Sequence, residues 1–479
     1  MNTKLPIFGD KPQEPERPHV AQEKFLGNAA IVTLGCAKNT VDSEVMLGAL
    51  ANRGFRTVSD PENAELVVVN TCAFLESAVE EGVDTILSLA ELKKTGRLKQ
   101  LLVAGCMVER YRKDLEESLP EVDRFISTDE LLSVGSEEST TEQCFNEARR
   151  PYFLYDETMP RVLSTGAHSV YLKISEGCDR PCSFCIIPKI RGGFRSRPIK
   201  SVVAEASDLV SQGAKELNLI AQDLTAYGDD RDDGANLLAL LKQMDGIQSD
   251  NDFWIRLFYA YPVGVSKEFI EGILSLNRVA DYLDMPLQHI AGPVLKSMKR
   301  PLGGRRTQEL IENIRHWAPE LKLRTTFIVG FPGETEDDVD QLVDFVSQGH
   351  FAHVGVFAYS QEKEAASFTY PNQIDPELAE ERRARVMLAQ QGVVEKHLKN
   401  YIGKEVEVLV EGSHSESDLL MTGRASWQGP EVDGEVIINQ VDERWLDASG
   451  QLDHSKIKGL FTKVKISEVA GYDLVGELK

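Results

Sequence analysis

No apolar run in this sequence is long enough to cross a membrane, and none near the N-terminus forms a signal-peptide core. Met1–Lys24 is polar and Pro-rich instead, so residues 1–25 are expected to form a disordered tail. Basic charge is in short supply. Against 76 Asp and Glu stand 53 Lys and Arg, a formal charge of −23. Stable nucleic-acid binding rests on neutralising phosphates, so this balance disfavours it, whereas a basic protein partner suits it. Cysteine is sparse as well, with 7 among 479 residues, most of them grouped like ligands rather than paired like bridges. That usage excludes a disulfide scaffold and points to a reducing cytoplasm. The length suggests about three domains.

Cys178, Cys182 and Cys185 sit on one short loop, Glu176-Gly-Cys-Asp-Arg-Pro-Cys-Ser-Phe-Cys185, at C-x3-C-x2-C spacing. A structural zinc site wants four closed ligands, and no fourth Cys or His lies nearby. A disulfide leaves one thiol over and strains so short a loop. Cys-only ligation at short spacing is the mark of an iron–sulfur site. Three thiolates hold three irons of a cubic cluster and leave the fourth open to a small molecule.

A second set of cysteines is spread along the chain. Ala29-Ala-Ile-Val-Thr-Leu-Gly-Cys36, Ala64-Glu-Leu-Val-Val-Val-Asn-Thr-Cys72 and Lys99-Gln-Leu-Leu-Val-Ala-Gly-Cys106 each read as a buried strand ending in Cys. Helical stretches at Asp42–Arg53 and Glu76–Lys94 separate them, so residues 26–145 are expected to form a doubly wound parallel sheet. The carboxyl ends of such strands converge. Cys36, Cys72 and Cys106 are therefore expected to meet in space as a second three-Cys cluster site. Residues 130–165 read as a connector, with Cys144 an incidental free thiol.

Between 164 and 395 strands alternate with helices again. The candidates are Val170–Ile174, Glu216–Ala221, Trp254–Tyr259, Tyr282–Leu287, Arg324–Val329 and His353–Ala358. One helix is expected to open at Pro198. Six such units predict an incomplete (βα) barrel of TIM type, whose chemistry belongs at the C-terminal strand ends. The cysteine loop follows the first strand. A helix over Asp375–Asn400 leads to residues 396–474, where short strands such as Glu405–Glu411, Gly434–Asn439 and Phe461–Ile466 suggest a small all-β barrel of oligonucleotide-binding type. Residues 401–479 hold 8 Lys or Arg and 15 Asp or Glu, 8 − 15 = −7, the wrong sign for an RNA clamp.

The residues around the cysteine loop resemble the radical S-adenosylmethionine superfamily. That resemblance implies that the open iron chelates the amino and carboxylate groups of S-adenosylmethionine, and that Phe184 packs near the adenine. Further stretches are similar to the methylthiotransferases, which join a methylthiotransferase domain, a radical core and a terminal TRAM domain. They are Thr33-Leu-Gly-Cys-Ala-Lys-Asn39, Val69-Asn-Thr-Cys72, Lys173-Ile-Ser-Glu-Gly-Cys178, Arg191-Gly192 with Ser196-Arg-Pro198, and Phe327-Ile-Val-Gly-Phe-Pro-Gly-Glu-Thr335. Cys185-Ile-Ile-Pro188, Gln222-Asp223, Pro286-Leu-Gln-His289 and Pro430-Glu-Val-Asp-Gly434 resemble the branch that modifies a ribosomal protein.

Membership of that branch implies two 4Fe-4S clusters, on Cys178, Cys182 and Cys185 and on Cys36, Cys72 and Cys106. It implies hydrogen abstraction from the β-carbon of an aspartate in small-subunit ribosomal protein twelve. Sulfur then comes from the second cluster and a methyl group from another S-adenosylmethionine. A flavodoxin or ferredoxin is the expected electron donor. Gln222 and Asp223 are expected near the cofactor's amino acid moiety, with a helix cap as the other reading. The turn with Gly330, Gly333 and Glu334 is expected to approach the cofactor through its backbone, or to be a plain strand–helix turn. Arg191, Arg195 and Arg197 contact carboxylates or are solvated surface charge, and His289 reads as a core histidine as readily as a site residue. A tRNA-adenosine methylthiotransferase shares every cluster ligand but should carry a more basic terminal barrel. A non-catalytic iron–sulfur carrier should close each cluster with a fourth Cys.

Overall fold

The computed structural model describes residues 25–94, 96–136, 153–445 and 454–478. The expected tail, apart from Phe25, and residues 137–152 of the connector, with Cys144, lie outside them. The chain forms two compact units, one running to Ser164 and taking in Ile187–Gly193, the other comprising Thr165–Ile186 and the chain from Phe194 on.

The first unit is built on five parallel strands, β1 (Gly27–Thr33), β2 (Phe55–Thr57), β3 (Leu66–Thr71), β4 (Gln100–Gly105) and β5 (Arg124–Ile126). Their order is β2-β1-β3-β4-β5, the doubly wound arrangement expected. The apolar runs explain it. Val67, Val68 and Val69 are wholly buried, as only a strand covered on both faces requires. Helix α1 (Ala37–Asn52) starts directly after Cys36, earlier than its periodicity suggests. Its first turns bury Asn39 and Asp42, and those polar residues hide the apolar stripe. Helix α2 (Glu76–Lys94) has the expected bounds, while α3 (Cys106–Ser118) was not anticipated. Nor were the edge strands β2 and β5, each of three residues, too short to show a period.

The second unit opens with β6 (Ser169–Lys173) and a small ribbon of β7 (Ser175–Glu176) with β8 (Arg195–Ser196). Strands β9 (Glu216–Ile220), β10 (Trp254–Leu257), β11 (Val279–Asp284), β12 (Lys322–Val329) and β13 (His353–Ala358) complete a parallel six-stranded sheet ordered β13-β12-β11-β10-β9-β6. These are the six strands of the expected partial barrel. The helix expected at Pro198 opens there, with Pro198 as its N-cap. The long helix Pro376–Leu398 follows, capped by Asp375.

Strands β14 (Glu405–His414), β15 (Ser417–Ala425), β16 (Val436–Val441), β17 (Phe461–Ala470) and β18 (Asp473–Leu478) close a barrel in the order β14-β15-β16-β18-β17. Strands β15 and β18 were not anticipated, and β18 runs past the expected boundary at 474. The barrel joins the core through buried charge. Glu216 on β9 is fully buried and pairs with Arg256 Nη2 at 2.7 Å and Arg424 Nη2 at 2.5 Å. Burial opposes its ionisation, and the two guanidiniums overcome this and hold its carboxyl well below the usual range. Arg256 also donates to Ser426 O at 2.7 Å, and Tyr282 donates to Asp433 at 2.8 Å. Glu405 and Glu407 are no free acidic face. They stand opposite Lys465 and Lys463 on β17, and Glu411 pairs with Arg424.

Candidate functional site

In the first unit β1, β3 and β4 are neighbours, with Thr33 level with Asn70 and Thr71 level with Gly105. Cys72 and Cys106 leave their strands at the same height, one residue past each end. Adjacent strands are about 4.8 Å apart, so the two thiols share one edge. Cys36 joins them as the N-cap residue of α1. All three thus stand at the carboxyl edge expected of them.

The backbone makes this possible. Gly35 has φ +99, and a Cβ there would lie 2.7 Å from the Cys72 Cβ. Gly105 has φ +95, and its Cβ would lie 2.3 Å from Asn70 Oδ1. Asn39 ties the turns together, donating to Leu34 O at 2.8 Å and Thr71 O at 3.1 Å. Its Oδ1 lies 3.7 Å from Cys106 Sγ and accepts from Arg191 Nη2 at 2.6 Å. Arg191 also pairs with Asp42 at 2.6 Å. Burial raises the Cys72 thiol and pushes Cys106 up to about 12, so a metal entering here displaces protons.

In the second unit the Cys178–Cys185 loop follows β7, and its Cys178 is buried. Arg180 N donates to Cys178 Sγ at 3.4 Å, and Arg300 Nη1 lies 3.6 Å from Cys182 Sγ. Burial pushes the Cys178 thiol up to about 11. The Ser183 hydroxyl donates to Ser297 O at 2.8 Å, and Ser367 N donates to Ser183 O at 2.9 Å. Phe184 and Tyr370 pack against one buried cluster that holds Met298 and Phe331, the aromatic of the Gly330 turn.

Gln222 sits just past the end of β9. Its Nε2 donates to Glu176 Oε1 at 2.7 Å, and Glu176 pairs with Lys173 at 2.6 Å, both buried. Gln222 Oε1 is buried with no hydrogen-bond partner among the described residues, an acceptor left for a ligand. Asp223 is engaged on both oxygens, with Arg180 Nε at 2.7 Å and with Ala226 N at 3.1 Å as a helix cap. Gly330 and Gly333 turn the chain at φ +74 and +84. Glu334 points into that turn. It accepts from Gly330 N and Phe331 N, faces His289 Nε2 at 3.4 Å and pairs with Arg382. His289 is accordingly a buried core histidine, and Glu334 is a buried brace with no free oxygen.

Arg197 is fully buried, donating to Lys173 O and pairing with Glu205 at 2.6 Å, so it is neither solvated nor a free cation. Arg195 lies on β8, level with Glu176. Sequence reasoning passed over Tyr261, four residues beyond the end of β10, although strand-end position was a signal for it. It also passed over Arg300, for which no signal exists. No three His, Cys, Asp or Glu among the described residues converge on one metal ion. Three sulfurs that each meet their own iron ask for no such convergence, and the two all-cysteine sets, with N–H donors beside two of the loop sulfurs, fit cubane ligation.

Three family models match the chain. They are described as uncharacterized protein family UPF0004 over residues 28–127, the radical SAM superfamily over 172–346 and the TRAM domain over 402–478. The chain is 43% identical over 456 residues to the ribosomal protein uS12 methylthiotransferase RimO of Pelobacter propionicus, covering 94% of this chain and 97% of that one. It is 45% identical to the protein of the same name from Solibacter usitatus, covering 93% and 94%. Among solved structures, the radical S-adenosylmethionine methyltransferase TsrM of Kitasatospora setae, with cobalamin and a [4Fe-4S] cluster bound, matches at TM-score 0.50 and 18% identity. It covers 69% of this chain and 74% of that one, and it speaks for the fold alone. The chain belongs to the ribosomal protein uS12 methylthiotransferase family.

Proposed function

We propose that this protein attaches a methylthio group to the β-carbon of an aspartate in ribosomal protein uS12, using S-adenosylmethionine and two 4Fe-4S clusters. The observation that carries the reading is the pair of three-cysteine sets, each on a carboxyl-edge position, in a chain of this family. An unactivated C–H bond resists acid–base chemistry, and the bound cofactors supply the radical and the sulfur that replace its hydrogen. Cys178, Cys182 and Cys185 hold one cluster, and Cys36, Cys72 and Cys106 the other. Gln222 would offer its free Oε1 to the amino group of S-adenosylmethionine, and the Gly330 to Gly333 backbone and Phe184 would help to hold the cofactor. Asp223 and Glu334 act at one remove, by fixing Arg180 and the Gly330 turn. A flavodoxin or ferredoxin supplies electrons in the cytoplasm, and no stable nucleic-acid complex is needed. The relatives named above do not favour the tRNA-adenosine alternative.

Mass spectrometry of uS12 and of total tRNA nucleosides, from cells with and without this gene, tests the reading. Methylthio-aspartate should vanish from uS12 with the gene. Loss of a methylthio-adenosine from tRNA, with uS12 unchanged, would overturn it.

A further inference from the structure

Arg300 lies far from the cysteine loop in sequence, yet its placement beside Cys182 is locked at every level. Helix Gly292–Ser297 ends in a Schellman arrangement. Arg300 N donates to Leu295 O at 2.8 Å, and Lys299 N to Lys296 O at 3.1 Å. Lys299 takes the left-handed conformation that such a stop requires, at φ +58, although it is not glycine. The cysteine loop docks on the same helix end, through Ser183 N to Met298 O at 3.2 Å and the Ser183 hydroxyl to Ser297 O at 2.8 Å. One helix terminus therefore holds both the loop and the arginine.

The side chain is held as firmly. Arg300 Nη2 donates to Pro286 O at 2.6 Å, and the guanidinium lies over the Tyr261 ring at 4.2 Å. Arg180 lies over the same ring at 4.4 Å, but Asp223 neutralises it. Arg300 has no carboxylate partner among the described residues. Its remaining contact is Nη1 to Cys182 Sγ at 3.6 Å. An unneutralised cation whose N–H points at a ligand sulfur stabilises the more negative, reduced state of whatever cluster that sulfur holds.

We propose that Arg300 is a positioning residue of the radical site, which orients the Cys182 thiolate and raises the reduction potential of the cluster bound there. The inference rests on the reading that Cys178, Cys182 and Cys185 ligate that cluster. Its effect is on how easily the cluster accepts an electron, and it makes no contact with substrate necessary.

The test uses the full chain with Cys36, Cys72 and Cys106 replaced by Ala, so that one cluster reports. Iron content, electron paramagnetic resonance and a redox titration are compared among this parent, Arg300→Lys and Arg300→Gln, with circular dichroism as a check of folding. R300Q should keep its iron and show a lower midpoint potential, with R300K between it and the parent. Should R300Q fold but lose iron, restoration of iron in R300K would support the orienting role, and failure to restore it would overturn it. An R300Q protein with full iron and an unshifted potential would also overturn the inference. A parent that bound no iron at this loop would instead sink the cluster reading beneath it.

Discussion

As the proposed cluster ligands, the two cysteine sets are built in opposite ways. Cys178, Cys182 and Cys185 share a single loop, so their spacing is local and survives any rearrangement that leaves the loop intact. Cys36, Cys72 and Cys106 come from the ends of three strands, and only the register of β1, β3 and β4 brings them to one edge. The local set depends on what the loop docks against. The distributed set depends on the backbone turns that release each cysteine from its strand. A ligand site drawn from three strands is in effect a readout of sheet register.

The largest effect comes from removing each set in turn. Reconstituted anaerobically, the parent should bind about eight irons, two cubanes per chain. Replacing Cys178, Cys182 and Cys185 by Ala should halve that and abolish formation of 5′-deoxyadenosine. Replacing Cys36, Cys72 and Cys106 should halve the iron too, yet leave 5′-deoxyadenosine and remove methylthio product. A loop triple variant that still yields 5′-deoxyadenosine, or a strand-end variant with full methylthio product, would break the division of labour between the sets.

Next comes the support each set relies on. Glu216, Arg256 and Arg424 form a fully or almost fully buried charge cluster that joins the terminal barrel to the core of the second unit. Deleting residues 401–479 would strand Glu216 with one cation and open Arg256 to water, and would leave Arg324 without Asp433. Removing one partner of a buried pair costs roughly 3–5 kcal/mol. The barrel is thus part of the core's fold as well as a candidate surface for the basic substrate. Glu216→Gln should lower the chemical-denaturation stability of the second unit by about that amount, and the truncated chain should lose the loop cluster while the strand-end cluster persists. A truncated chain with both clusters intact would show the barrel to be a free module. Reversing Glu405 and Glu407, which face lysines, should change substrate binding little.

How far the two sets were legible follows from the same contrast. The loop spacing lies in ten consecutive residues, Glu176 to Cys185, and needs no fold to be recognised. The strand-end set was legible because Val67–Val69 and Leu101–Val103 are unbroken apolar runs with cysteine directly downstream. What stayed hidden was polar. Arg197, Arg256 and Arg424 look like surface charges in sequence, and only their partners account for their burial: Glu205, on the helix that follows Arg197, and Glu216, distant along the chain from the other two. The Gly330 to Glu334 turn read as a backbone approach to the cofactor or as a plain strand–helix turn, and nothing in its residues signalled that His289 and Arg382 close around the Glu334 side chain. Strands β15 and β18 were missed because the adjacent apolar residues Leu419-Leu-Met421 and Leu474-Val475, and the glycines Gly423 and Gly476, break their alternation.

A smaller effect isolates the turns. Gly105 has φ +95 and ψ −152, a region open only to glycine, and a Cβ would also meet Asn70 Oδ1. Gly105→Ala should cost on the order of 1–3 kcal/mol of local strain and should release iron from the strand-end site alone. Ser183→Ala in the loop removes one side-chain hydrogen bond, worth about 1 kcal/mol, and should leave both clusters bound. Equal iron loss in the two variants would erase the difference between a register-dependent and a local site.

The smallest effect is a pH dependence confined to the first unit. Glu109 lies on α3, and burial, then the charge of Asp129, pushes its carboxyl up to about 7. Its unfolded value is the ordinary 4.5, so between these values folding takes up a proton. The contribution is therefore fully present below the unfolded value and is lost as pH rises through about 7. Glu109→Gln mimics the protonated form at every pH. Parent and variant should unfold together at about pH 4, and the variant should be the more stable at about pH 8. The comparison is made on iron-free chain, following the transition of the first unit, because bound metal stabilises the folded state by mass action. A gap that stays constant across this range would mean that Glu109 is ionised throughout, its charge met by Arg112 and Thr128 rather than suppressed by burial.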